Sequence, residues 1–77
     1  MENRLIECVP NISEGRDRAK IDAIAAVVNT VEGVRLLDVD PGKATNRTVI
    51  TFVGEPEPVI EAAFRLIKKA QELIDMR

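Results

Sequence analysis

The chain alternates between two hydrophobic periods, and the alternation lays out its elements. Leu5 to Val9 reads as a short strand that Pro10 ends, and Asn11 to Arg16, with its Asn, Ser and Gly, reads as a turn-rich segment. From about Asp17 to Val31, the residues Ile21, Ile24, Ala25, Val28 and Val31 recur three and four apart, which puts them on one face of a helix. Asp17 can accept from the free amides of that helix's first turn, and Gly33 suits the left-handed backbone after its end. Val34 to Asp40 predicts a second strand, Pro41-Gly42 a turn, and Arg47 to Val53 a third strand rich in β-branched residues. The loop between these two strands is short enough for an antiparallel hairpin and too short for a parallel crossover. Gly54-Glu55-Pro56 opens a last helix running to about Met76, with Glu55 and Glu57 opposing the positive end of its dipole. On it, Ile60, Phe64, Ile67 and Ile74 form one stripe, and Val59, Ala63, Leu66, Ala70 and Leu73 a neighbouring one. That apolar arc is wide enough to pack on more than a sheet.

The resulting order, β-α-β-β-α, is a split β-α-β, ferredoxin-like arrangement of the α/β (α+β) class that lacks its last strand. A three-stranded antiparallel or mixed sheet with two helices leaves an edge unpaired where the fourth strand would lie. Such an edge invites a partner, either more of the same polypeptide or a second copy of the chain. The expectation is one domain over residues 1–77 that oligomerises or joins a missing part.

Composition narrows the chemistry. The chain has 77 residues, and one this short buries only about 60% of its unfolded surface. Phe52 and Phe64 are its only aromatics, so the core is aliphatic. Eleven basic against 13 acidic residues, and no aromatic stacking platform, argue against a nucleic-acid partner. There is no histidine and one cysteine, which excludes an internal disulfide, a zinc set and any Ser-His or Cys-His pair within the chain. Cys8, between Glu7 and Val9, reads as a small hydrophobe. The glycines, at 15, 33, 42 and 54, are scattered, so there is no Gly-rich phosphate loop. No apolar run approaches the ~20 residues of a membrane helix, and the first ten residues do not read as a signal peptide. A soluble, cytoplasmic protein with no metal and no membrane partner is expected.

Polar groups concentrate at the strand ends. Asp38 and Asp40 are two apart on a strand and share a face, which Val34 and Leu36 occupy upstream. Paired carboxylates can share a proton and serve as a base, or orient one; they can equally be a solvated strand end that starts a turn. Lys43, Thr45, Asn46, Arg47 and Thr48 form a second cluster in which the cations suit a carboxylate or phosphate, or simply solvate a hairpin. Asn11, Ser13, Glu14 and Gly15 follow the first strand, where a polar loop either contacts a ligand or caps the helix. Glu61 and Arg65 form an i, i+4 surface pair.

The stretches Leu-Ile-Glu-Cys-Val-Pro-Asn-Ile-Ser-Glu-Gly-Arg at 5–16, Leu-Leu-Asp-Val-Asp at 36–40, Thr-Asn-Arg-Thr-Val-Ile-Thr-Phe-Val-Gly at 45–54 and Leu-Ile-Asp-Met-Arg at 73–77 together resemble the N-terminal subdomain of glutamate formiminotransferase. The resemblance covers essentially the whole chain. It implies transfer of a formimino group from N-formimino-L-glutamate to tetrahydrofolate as co-substrate, in histidine breakdown and one-carbon metabolism, with folate held in a cleft between two similar subdomains. By position it makes Asp40 the catalytic aspartate that partners a histidine base. It places Asn11 and Glu14 in the active-site wall, and Asn46 and Arg47 on the ligand side; Asp38, paired with Asp40, is a further ligand-binding candidate. In the family that histidine follows shortly after the Leu-Ile-Asp-Met motif, beyond Arg77, so the 77-residue chain alone is expected to be inert. Two other readings stand beside this one: a stand-alone module binding folate or an amino-acid-like ligand, and a structural piece that only oligomerises.

Overall fold

The computed structural model describes residues 4–74. Its elements are β1 (Ile6–Cys8), β2 (Asn11–Ile12), α1 (Arg18–Val28), β3 (Val34–Gly42), β4 (Arg47–Gly54) and α2 (Pro56–Ile74). They form an α+β fold of two helices against an antiparallel open sheet, consistent with the ferredoxin-like split arrangement. Residues 75–77, which hold the predicted end of the last helix and of the Leu-Ile-Asp-Met-Arg motif, lie outside the described residues.

β4 is the centre of the sheet. β3 pairs with it antiparallel on one side, and β1 and β2 pair with it antiparallel on the other. The first strand does not end at Pro10. Cys8 lies opposite Phe52 and Asn11 opposite Val49, three residues further along each chain, so β1 and β2 keep one register. Pro10 has no N–H to give, but its carbonyl still accepts from Ile50 N at 3.0 Å, and the strand continues through Ile12.

Alternation along β4 sorts the residues by face. Thr48, Ile50, Phe52 and Gly54 are buried under the helices, while Arg47, Val49, Thr51 and Val53 face the open side. The core joins Ile50 and Phe52 to Ile12, Ile24, Ala25, Val28 and Val31, and to Val59, Ala62 and Leu66 of α2. Helix α1 is shorter than its periodicity suggests: Asn29 caps it, and Val31 reaches the core from the turn that follows. Asp17 is its N-cap, with Oδ1 accepting from Lys20 N at 3.3 Å, and Gly33 has φ +92°. Arg65 pairs with Glu61 at 2.6 Å and also donates to Thr30 Oγ1 at 3.1 Å, tying α2 to the end of α1.

Two expectations are corrected here. Pro41 and Gly42 are not the turn; they are paired strand residues, opposite Thr48 and Arg47. The turn is 43–46, closed by Asn46 N donating to Lys43 O at 3.3 Å, with Asn46 in the left-handed region at φ 54°. Asparagine tolerates that conformation far better than most residues. The second correction concerns the acidic face. Leu36 is opposite Phe52 but Asp38 is opposite Thr51, so a β-bulge at Leu37 shifts the register by one. Val34 and Leu36 therefore face the helices, whereas Asp38 and Asp40 face the open side with Thr51 and Val49.

Of the two apolar stripes on α2, the one through Val59 and Leu66 packs on the core, and the other joins it only at Ile74. Val59, Ala62 and Leu66 are buried, while Ile60, Phe64 and Ile67 are 65%, 64% and 55% exposed. Beside Ile67 and Ile74, a trough of about 680 Å³ runs between α2 and Pro10–Ser13 of the unpaired sheet edge.

Leu66→Ala should cost about 2–5 kcal/mol, a large share of the roughly 4–12 kcal/mol a chain of this size commands. Ile67→Ala, one residue on, should change stability by no more than about 0.5 kcal/mol at low protein concentration. Denaturant unfolding of the two variants checks this.

Candidate functional site on the open face of the sheet

The open face carries the polar residues in rows set by the register. Glu7, Val53 and Arg35 lie across one row, and Thr51 and Asp38 across the next. Asn11, Val49 and Asp40 follow, and then Arg47 with Gly42. Along the last two rows lies a shallow, open cavity of about 540 Å³ lined by Asn11, Asp40, Gly42, Thr45, Arg47 and Val49. The fold thus gathers Asn11, Asp40 and Arg47 from three strands around one apolar residue, Val49.

The charges in this cavity are held close but apart. Asp40 is opposite Val49 and Arg47 is opposite Gly42, so they sit on one face but on different rows. Among the described residues neither takes part in an ion pair. Arg47 can therefore offer its planar fork to a carboxylate or phosphate. Asp40 can accept from an amine, an amidine or an imidazole N–H, and Val49 offers an apolar floor.

The other residues singled out from the sequence are placed differently. Asp38 is on the same face one row away and does not line the cavity. Glu14 and Asn46 do not line the cavity; they belong to the place where the β2–α1 turn meets the hairpin. The Glu14 carboxylate accepts from Arg16 N at 3.2 Å and Asp17 N at 3.0 Å, and these two bonds hold its pKa below the ordinary value of 4.5. Asn46 Oδ1 accepts from Gly15 N at 3.0 Å. Buried Thr48 donates its hydroxyl to Glu14 O, and Arg16 Nε donates to Lys43 O at 3.1 Å. Arg35 and Glu7, on the open face, were not singled out from the sequence. Strand parity read back from Asp38 puts Arg35 on the wrong face, because the bulge at Leu37 is not visible in residue types.

Among the described residues no group of His, Cys, Asp and Glu is arranged to hold a metal ion, and no helix is long and apolar enough to cross a membrane.

With this geometry in place, the kinship of the chain is clear. It matches the formiminotransferase domain, N-terminal subdomain, over residues 5–77. It is 57% identical over 74 residues to a formimidoyltransferase-cyclodeaminase of Dictyostelium discoideum, a match covering 96% of this chain and 14% of that protein. It is 53% identical over 75 residues to the formimidoyltransferase-cyclodeaminase of Rattus norvegicus, covering 97% of this chain and 14% of the relative. A glutamate formimidoyltransferase of Streptococcus pyogenes serotype M1 is 45% identical over 73 residues, 95% of this chain and 24% of the relative. The chain belongs to the formiminotransferase N-terminal subdomain family. It spans between about a seventh and a quarter of the length of these relatives.

Because the folded pKa of Glu14 is depressed, its charge stabilises the fold above the ordinary value of 4.5, and that contribution is lost as pH falls through the lower folded value. Glu14→Gln keeps the shape and removes the charge. Its stability deficit should be constant from pH 6 to 8 and shrink toward zero on acidification below 4.5, as read by urea unfolding across pH.

Proposed function

We propose that this chain supplies one wall of a folate-dependent transferase that moves a formimino group from N-formimino-L-glutamate to tetrahydrofolate. The observation that carries this reading is the convergence of Asn11, Asp40 and Arg47 on one cavity in a chain that matches the family over residues 5–77. In this reading Asp40 is the catalytic aspartate. It accepts a hydrogen bond from a histidine supplied by further polypeptide, fixing the tautomer and stabilising the charged ring when it takes a proton. The base removes a proton from the folate amine as that amine attacks the formimino carbon, and the proton returns to the glutamate nitrogen that leaves. Arg47 and Asn11 hold a substrate carboxylate, Asp38 adds a second acceptor on the same face, and Glu14 and Asn46 brace the turn beside them. Tetrahydrofolate is the co-substrate, and no metal takes part.

In this reading the further polypeptide docks on the open sheet edge. The outer side of β1 and β2 is a sheet edge, and exposed Ile67 lines the trough between α2 and Pro10–Ser13 of that edge. A strand added there would pair its backbone with the edge and put alternate apolar side chains under α2. Joining this chain to the residues that follow the matched segment in the Streptococcus pyogenes relative should give formimino transfer to tetrahydrofolate. In that fusion Asp40→Asn should lower kcat by about 10²–10⁴, and Arg47→Ala should raise KM for a carboxylate substrate. An Asp40→Asn enzyme as fast as its parent contradicts the proposal.

The same exposed edge favours a second reading, an oligomerising or ligand-binding module without catalysis. A melting temperature that rises with protein concentration and ignores a reduced folate, together with an inactive fusion, is the result that reading predicts.

A further inference from the structure

We infer that Asn46 and Thr48 are positioning residues of the open-face site, acting through the backbone they bind rather than by touching a ligand. The inference deepens the reading of that site as a ligand cavity and rests on it for its consequences in binding.

The Asn46-Arg47-Thr48 step splits its side chains between two tasks. Arg47 projects to the open face and lines the cavity. Its two neighbours turn the other way, toward the β2–α1 turn. Asn46 Oδ1 accepts from Gly15 N at 3.0 Å, and Thr48, fully buried, donates to Glu14 O. The single peptide group that links Glu14 to Gly15 is thereby fastened at both its N–H and its C=O to the residues on either side of Arg47. A third bond, Arg16 Nε to Lys43 O at 3.1 Å, closes the same joint from the hairpin tip.

The joint is tight because it is backbone against backbone. A Cβ built on Gly15 would lie 2.5 Å from Gly42 O, 2.6 Å from Arg47 N and 2.8 Å from Arg47 O. Only glycine lets the turn approach so closely. Asn46 is in turn suited to its own position, since asparagine both tolerates φ 54° and presents an acceptor from it.

The consequence for the site is geometric. Asn11 lies on β2, three residues before Glu14; Asp40 lies on β3, three residues before the hairpin loop; and Arg47 lies between the two residues that make the joint. Asn11 stands one residue from the end of the β1–β2 run, at the sheet edge, where a strand end is held least by its ladder. The bonds from Asn46 and Thr48 fix the far end of that strand to the strand that carries Arg47. They thus set the separation of the groups on either side of Val49.

Replacements at Asn46 separate positioning from ligand contact. Asn46→Asp keeps an acceptor and tolerates left-handed backbone, but loses the amide donor and adds a negative charge. Asn46→Gly keeps the backbone and loses the acceptor. Thr48→Val removes only the hydroxyl. In the 77-residue chain, NMR would follow Gly15 amide exchange, the Asn11 side-chain amide and Arg47 Nε–H signals, and binding of glutarate as a dicarboxylate probe. In Asn46→Asp, Gly15 protection and the Asn11 and Arg47 signals should stay at the parent's values, with glutarate affinity within twofold. In Asn46→Gly and Thr48→Val, Gly15 should exchange at least tenfold faster and the Asn11 and Arg47 signals should move. Glutarate binding should weaken at least fivefold, with the Phe52 amide as protected as in the parent. The inference is overturned if Asn46→Gly leaves the Asn11 and Arg47 signals in place, or if Asn46→Asp disturbs them as much as Asn46→Gly does. A parent that binds no glutarate removes Arg47 as a carboxylate site, while the side-chain signals alone still decide the positioning role.

Discussion

Everything in this molecule hangs on β4 being paired on both sides. A strand in that position has no free edge, so its alternation must serve two environments at once. One face, with Thr48, Ile50, Phe52 and Gly54, lies under α1 and α2 and forms the centre of the core. The other, with Arg47, Val49, Thr51 and Val53, is the floor of the candidate site. The core and the site are therefore two sides of one strand. A register slip of a single residue would exchange an arginine for a buried threonine and empty the core of its only buried aromatic, Phe52.

Local features then decide what stands on that floor. The bulge at Leu37 turns Asp38 and Asp40 to the open side while Leu36 stays under the helices. Without it, β3 would send both carboxylates into an apolar layer, at a cost no partner there could offset. The joint between the β2–α1 turn and the hairpin does similar work at the other end of the site. It places a charged residue, Arg47, between two residues whose polar groups are engaged with backbone. The site is thus specified as much by main-chain geometry as by the identities of the groups that line it.

Much of this was legible in the sequence, and the parts that were not have physical reasons. Periodicity located α1 and α2, because Ile21, Ile24, Ala25 and Val28, like Val59 and Leu66, repeat at helical spacing and do face the core. The β-branched run from Arg47 marked β4. Pro10 reads as a stop because it cannot donate to a ladder, yet its carbonyl can still accept, and the strand runs on. Pro41-Gly42 carries a strong turn signal, but the left-handed residue that closes this hairpin is Asn46. The bulge leaves no mark in residue type, so the face of Leu36 was misassigned while that of Asp38 and Asp40 relative to each other was not. At the site, residue types pointed to Asn11, Asp40 and Arg47, which the fold brings together. The capping reading of the 11–15 loop fits Glu14, whose carboxylate accepts from the amides of Arg16 and Asp17, but the same reasoning could not see that Asn46 gives its oxygen to Gly15 N, since that bond depends on how the turn and hairpin meet.

The two-faced central strand is also the part of the account most open to direct test. Amide hydrogen exchange, residue by residue, ranks how each strand is held. If β4 organises the molecule, the amides from Thr48 to Phe52 should exchange only through global unfolding, with a single free energy equal to that from denaturant. The outward amides of β1 and β2, and those of residues 43–46, should exchange far faster. Amides of β4 that exchange as freely as the edge, while β3 alone stays protected, would contradict the claim that core and site share one strand.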